Sequence, residues 1–85
     1  MSLKHRVDLT KQFIKDSRKL NGKLKQILEN RLKDIGNNPY AGKRLKGPLK
    51  DKYSMRLNKR HRIIYSVPEH CIVLVERVLH RKIAY

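Results

Sequence analysis

Tyr53-Ser54-Met55-Arg56-Leu57, then Ile63-Ile64-Tyr65, then Cys71-Ile72-Val73-Leu74-Val75-Glu76-Arg77-Val78: these pieces decide the fold. In the first, apolar Tyr53, Met55 and Leu57 alternate with polar Ser54, Arg56 and Asn58, the two-residue period of a strand with one covered face. The second is β-branched and aromatic and reads as the next strand. Val67-Pro68-Glu69-His70 reads as a turn. The run 71–78 is the most apolar of the chain and long enough for a central strand.

Working back from these strands, the period changes. Thr10 follows Asp8, and either can cap a helix. Phe13, Ile14, Ser17 and Leu20 then fall at helical spacing until Asn21-Gly22 breaks it. Leu24, Ile27, Leu28, Leu32 and Ile35 form one stripe of a second helix, opposite Lys23, Lys25, Glu29, Lys33 and Asp34. Gly36 reads as its stop, supported by Asn37-Asn38-Pro39. The short break suggests an antiparallel helix hairpin. Residues 3–8 read as an edge strand anchored by Leu3 and Val7. Gly42, Gly47 and Pro48 mark a basic loop. The expected fold is therefore α+β: two N-terminal helices packed on one face of a small, mainly antiparallel sheet, in the order β-α-α-β-β-β, as one domain over 1–85.

The chain has 22 Lys and Arg against 7 Asp and Glu, a net charge of +15. A domain of 85 residues buries only about 60% of its unfolded surface, and self-repulsion narrows its margin further. It should gain from an acidic partner. Lys43, Arg44, Lys46, Lys50, Lys52, Arg56, Lys59, Arg60 and Arg62 crowd one block in which Asp51 is the only acid. That is a local field suited to a polyanion, and RNA fits it best. No apolar stretch approaches the roughly 18 residues of a membrane span, and the start has no apolar signal core. A cytoplasmic location is the default. Cys71 alone makes no disulfide framework and no cysteine-based zinc site.

The same residues bound the chemistry. Metal-dependent nuclease chemistry needs clustered acids, and Glu76 is the only acid within the strand blocks. No cofactor or metal is implied. RNA cleavage would run through attack of the RNA's own 2′-OH, with a base near that hydroxyl, cations on the phosphate and an acid for the leaving 5′-oxygen. If Met55 and Leu57 face the helices, Arg56 and Arg62 converge with a last-strand residue on the other face. On that alternation Glu76 shares a face with Val78, and Val75 with Arg77. His61 and His80 sit beside Arg62 and Arg81, where a neighbouring cation favours a neutral imidazole.

The run Leu45-Lys46-Gly47-Pro48-Leu49, the strand Tyr53-Ser54-Met55-Arg56-Leu57, the block Arg60-His61-Arg62-Ile63-Ile64-Tyr65 and the tail His80-Arg81-Lys82-Ile83-Ala84-Tyr85 together resemble the RelE/ParE toxin superfamily. More narrowly they resemble RelE- and YoeB-type toxins of type II toxin–antitoxin systems. The resemblance covers essentially the whole chain. It implies a RelE-like fold and a ribonuclease that cuts messenger RNA in the A site of a 70S-type ribosome. It also implies an acidic, RelB-like antitoxin that wraps the toxin in a heterotetramer or larger complex.

Carried over by position, Arg62 matches the family's sheet arginine and Arg56 a basic strand position facing RNA. Arg81 and Tyr85 match the arginine and tyrosine of the tail motif. In that reading Arg62 stabilises the transition-state charge, Arg81 acts toward the leaving oxygen, and Tyr85 stacks on or orients a base. Lys46, Lys52, Lys59 and Arg60 would hold backbone phosphates. Ser54 stands where RelE has a lysine, and the YoeB base glutamate would fall at Gly47. The general base is then His61, His80, Tyr85 or a lysine. Two other functions fit the same fold: a ParE-like topoisomerase inhibitor, against which Arg81 and Tyr85 speak, and a ribosome- or RNA-binding module that does not cut.

Overall fold

A computed structural model describes residues 5–45 and 51–80. In chain order it comprises β1 (Arg6–Leu9), α1 (Lys11–Arg18), α2 (Gly22–Asn37), a single 3-10 turn (Pro39–Ala41), β2 (Lys43–Arg44), β3 (Lys52–Arg56), β4 (His61–Glu69) and β5 (Ile72–His80). Both helices begin where a side chain satisfies a backbone donor that has no partner within the helix. The Thr10 hydroxyl accepts from the Phe13 N–H at 3.0 Å, and Asn21 Oδ1 accepts from the Leu24 N–H at 2.8 Å. The Thr10 hydroxyl also donates to the Glu76 carbonyl at 2.7 Å, so the start of α1 is pinned to β5. The helix α2 runs through Gly36 to Asn37, because the Asn38 N–H still reaches the Asp34 carbonyl. The Gly36 carbonyl instead accepts from the His5 backbone N–H and Nδ1–H, each at 3.1 Å.

The five strands are ordered β1-β5-β4-β3-β2. The edge strand β1 runs parallel to β5, and every other pair is antiparallel. The expected α+β arrangement is therefore present, with two departures in the strands. The stretch expected as a basic loop contains β2, which pairs Lys43 with Ser54 and Arg44 with Tyr53. Two residues carry no visible period, so only the partner strand reveals them. The expected turn at 67–70 is mostly strand: β4 continues to Glu69, with Pro68 exposed. Its pairing with β5 is irregular between Ser66 and Glu69, where a missing N–H does little harm. Cys71 is exposed, just ahead of β5.

A β-bulge changes the faces of the sheet as well. Ile63 pairs with Val78, Ile64 with Arg77 and Tyr65 with Val75, so Glu76 is an extra residue, a β-bulge. Strict alternation put Val75 and Val78 on opposite faces. The bulge shifts the parity, and both enter the helix-side core. There they meet Phe13, Leu24, Leu28 and Ile35 from the helices and Ile63 and Tyr65 from β4. Tyr53 and Met55 pack against this cluster and Leu57 joins it, as expected. Ile64 and Leu79 are also buried but lie outside it, on the sheet face turned away from the helices. Among the described residues no helix is long and apolar enough to cross a membrane.

Candidate nucleic-acid interface

The face turned away from the helices collects the basic strand residues. Arg56 on β3 and Arg62 on β4 are direct cross-strand partners, which puts their Cβ atoms about 5 Å apart. Arg62 Nη1 donates to the Ser54 hydroxyl at 3.5 Å, a long contact. Ser54 is 2% exposed. It shares this face yet offers no surface of its own, and it steadies Arg62 from below. The register also sets Lys43 on β2 beside Ser54. In the sequence Lys43 is one cation of the basic block, and only the pairing of β2 with β3 places it here. Leu79 is the β5 residue opposite Arg62, so the third member of this row is apolar.

Lys52 lies on the same face but is not a free cation. Its Nζ pairs with Glu76 Oε2 at 2.5 Å, with side chains 31% and 24% exposed. The bulge and this pair sit together at one edge of the arginine row. Lys59 and Arg60 are exposed at the tip of the β3–β4 hairpin. That tip is built on Asn58, whose Oδ1 accepts from the Arg60 and His61 backbone N–H groups, both at 2.8 Å. Lys46, Arg81 and Tyr85 lie outside the described residues.

His61 and His80 do not join the arginines. They are cross-strand partners at the end of β4 and β5, with rings 5.0 Å apart and edge to face. They open on the helix side, where they line a cleft with Asp16 and Lys19. The sequence brought all four residues into one basic set. Adjacent residues on a strand point to opposite faces, so His61 and Arg62 are divided by the sheet itself. Burial, then the charges of His80 and Arg60, holds the His61 imidazole below its usual pKa.

On the helix side, beside β2, three tyrosines stack. Tyr65 is fully buried, its hydroxyl donating to the Pro39 carbonyl at 2.6 Å. Burial pushes its pKa up to about 12. Tyr53 stacks on Tyr65 at 5.6 Å, and Tyr40 meets the Tyr53 ring edge-on at 5.9 Å. A Cβ on Gly42 would lie 2.1 Å from the Tyr65 hydroxyl, so only glycine lets the chain pass here. This cluster holds the segment leading into β2, and with it the position of Lys43.

The sequence model of the ParE toxin of type II toxin–antitoxin systems, parDE, matches residues 7–85. No curated protein matches the chain in sequence. Among solved structures, the toxin–antitoxin complex RelBE2 of Mycobacterium tuberculosis is similar at a TM-score of 0.80 and 27% identity, over 93% of this chain and 100% of that chain. The archaeal RelE–RelB complex from Pyrococcus horikoshii OT3 is similar at 0.78 and 22% identity, over 96% and 100%. The intact E. coli RelBE toxin–antitoxin complex is similar at 0.73 and 25% identity, over 89% and 95%.

Proposed function

The chain belongs to the ParE toxin family of type II toxin–antitoxin systems, and on that premise we propose that it is an endoribonuclease that cuts messenger RNA in the ribosomal A site without a metal. The observation that carries this reading is the direct pairing of Arg56 with Arg62 on the face turned away from the helices. Two guanidinium groups on adjacent strands of a rigid sheet can grip one phosphate from two sides. When the 2′-OH attacks phosphorus, negative charge builds on the phosphoryl oxygens, and donors already in place stabilise it without reorganisation. The P–O5′ bond then breaks, leaving a 2′,3′-cyclic phosphate and a 5′-oxygen that takes its proton from water to become a 5′-hydroxyl.

The other roles follow the resemblance. Arg81 serves the leaving oxygen and Tyr85 orients a base. Lys46, Lys59 and Arg60 hold neighbouring phosphates, and Lys52 does so when it is released from Glu76. The proton of the 2′-OH goes to Tyr85 or a lysine, since His61 and His80 open on the other side of the sheet. The partner that silences the protein is an acidic, RelB-like antitoxin laid over the arginine face, in a heterotetramer or larger complex. The net charge of +15 and the RelB-bound state of the similar toxins support that partner. The site of action is the cytoplasm, on a 70S-type ribosome.

Primer extension on a translated message after induction tests the reading. Wild type should leave cuts in register with codons, and Arg62→Ala should slow cutting by about 10²–10³. Equal cutting by Arg62→Ala, or an intact message in growth-arrested cells, refutes it. A second reading draws on the ParE description of the matching family: inhibition of a topoisomerase. It predicts that purified protein blocks supercoiling by gyrase and leaves the message whole.

A further inference from the structure

The cleft that holds the two histidines has no part in the function proposed above. It lies between the C-terminal end of α1 and the ends of β4 and β5, with a volume of about 190 Å³. That exceeds several times the roughly 30 Å³ share of one liquid water. Its walls are Asp16, Lys19, His61, Arg77 and His80, over an apolar floor that includes Val78.

Each charged group has a definable state. Asp16 is 8% exposed, and its carboxylate is held by three donors. These are Gln12 Nε2 at 3.0 Å, the Val78 N–H at 3.0 Å and Arg77 Nε at 3.4 Å. Both of its oxygens are thus engaged within the protein. Arg77 engages Asp16 through Nε alone, and its side chain is 46% exposed, so both Nη groups face the cleft or solvent. Lys19 is exposed on the rim. The α1 carbonyls of Asp16 and Ser17 accept from the Lys19 and Leu20 N–H groups, which blunts the negative end of the helix.

The tautomer of His61 is set by its surroundings. Asn58 Oδ1 accepts from two backbone N–H groups, so the atom there is the oxygen and not the amide nitrogen. His61 Nδ1 lies 3.1 Å from the same oxygen and must therefore carry a proton. Its Nε2 is left as the group that answers to an occupant of the cleft.

Two imidazoles 5.0 Å apart would also bring a transition metal to mind. Among the described residues no third histidine, cysteine or carboxylate completes a metal-holding group. Asp16 already holds three donors of the protein, and Lys19, Arg77 and Arg60 would repel a divalent cation. An anion meets the opposite field. We propose that this cleft is a binding site for a phosphate-class oxyanion, with Arg77 and Lys19 supplying the charge and His61 Nε2 a directed contact.

Occupancy is tied to protons. Nε2 can donate to an anion only as imidazolium. In the empty cleft, burial, His80 and Arg60 disfavour that form. The groups facing His61 are Lys19 and Asp16 from α1, Arg77 and His80 from β5, and Arg60 and Asn58 from the hairpin. A bound oxyanion outweighs the cationic ones and raises the imidazole's proton affinity. Binding therefore takes up a proton and tightens as the pH falls. The same phosphate chemistry reaches the cleft as a free phosphate or as the backbone of an RNA strand.

The test uses the full chain and NMR of the His61 and His80 ring protons. Probes are sulfate, which stays a dianion from pH 5 to 8, inorganic phosphate and a single-stranded RNA hexamer. The expected result is saturable ring shifts, about tenfold tighter at pH 5.5 than at pH 7.5, the equivalent of one pKa unit of linkage. Lys19→Gln and Arg77→Gln should each weaken binding about tenfold, the scale of one charge-assisted hydrogen bond. Lys33→Gln, exposed on α2, should change nothing. Saturation by the small ions assigns free phosphate, and saturation that requires the hexamer assigns RNA. Shifts that rise without saturation and match those from chloride overturn the proposal. So does wild-type affinity in Lys19→Gln, a surface change that keeps the Asp16–Arg77 contact intact. The proposal stands apart from the cleavage reading: a chain that cuts no message still binds, or fails to bind, here.

Discussion

Replacing Asp16 with alanine tests how α1 is fastened to the sheet. The buried carboxylate takes the Val78 N–H, and Val78 is 7% exposed. Without Asp16 that backbone donor stays dry and unpaired, at a cost of about 1–3 kcal/mol. Arg77 is half exposed and returns to water, so its loss adds only about 0–1 kcal/mol. The sum is about 1–4 kcal/mol. A chain of 85 residues has a total stability of roughly 4–13 kcal/mol. At about 4–8 °C per kcal/mol for a domain this size, the midpoint should fall by at least about 4 °C and by up to about 30 °C in a circular-dichroism melt. Asp16→Asn keeps one oxygen for Val78 and should recover about half of the loss. The pH dependence follows from the direction of the Asp16 shift. Burial pushes the carboxyl up, but the bonds from Gln12, Val78 and Arg77 outweigh it and hold the group below the ordinary 3.8. A depressed carboxylate stabilises the fold above its unfolded value, and the effect is lost as the pH falls through the folded value. The gap between wild type and Asp16→Asn should thus be full at pH 6 and close below the ordinary 3.8. An Asp16→Ala protein within 0.5 kcal/mol of wild type at pH 6, or a gap that widens in acid, refutes the reasoning.

Other outcomes follow from single contacts. Tyr65→Phe leaves the Pro39 carbonyl without its 2.6 Å donor and should cost about 1–3 kcal/mol by urea unfolding. Gly42→Ala should destabilise more strongly, because its Cβ meets the Tyr65 hydroxyl at 2.1 Å; adding Tyr65→Phe should restore part of the loss, and a worse double variant would count against the clash. Glu76→Gln releases Lys52 from its ion pair, so single-stranded RNA should bind more tightly in a filter assay, with the salt slope steeper by about 0.7. An unchanged slope would show that Lys52 does not meet phosphate.

The pieces of this chain that depend on near neighbours are plain in its sequence. Thr10 and Asn21 cap the helices because a side chain two or three residues from a backbone donor can always reach it. Tyr53, Met55 and Leu57 face the core because alternation along one strand is a local property. The arginine pair was legible for the same reason: Arg56 and Arg62 flank a short hairpin, so their register is set within a few residues. The helix end, the two-residue strand β2 and the length of β4 were not legible, since each depends on a partner elsewhere in the chain.

The sheet decided the rest. One extra residue, Glu76, turned the parity of β5, put Val78 into the core and left Glu76 paired with Lys52. Nothing in the run 71–78 signals that step, because a bulge belongs to two strands and not to one. The division of the basic set has the same origin. By sequence, His61 and Arg62 are neighbours and looked like one site. In the fold, a layer of backbone separates them, leaving arginines on one face and a pair of imidazoles beside Asp16 on the other. The sequence by itself determined the charge, the helices and the strand faces, all set within a few residues. The tertiary structure alone decided which charges stand together, because that depends on registers between segments distant along the chain.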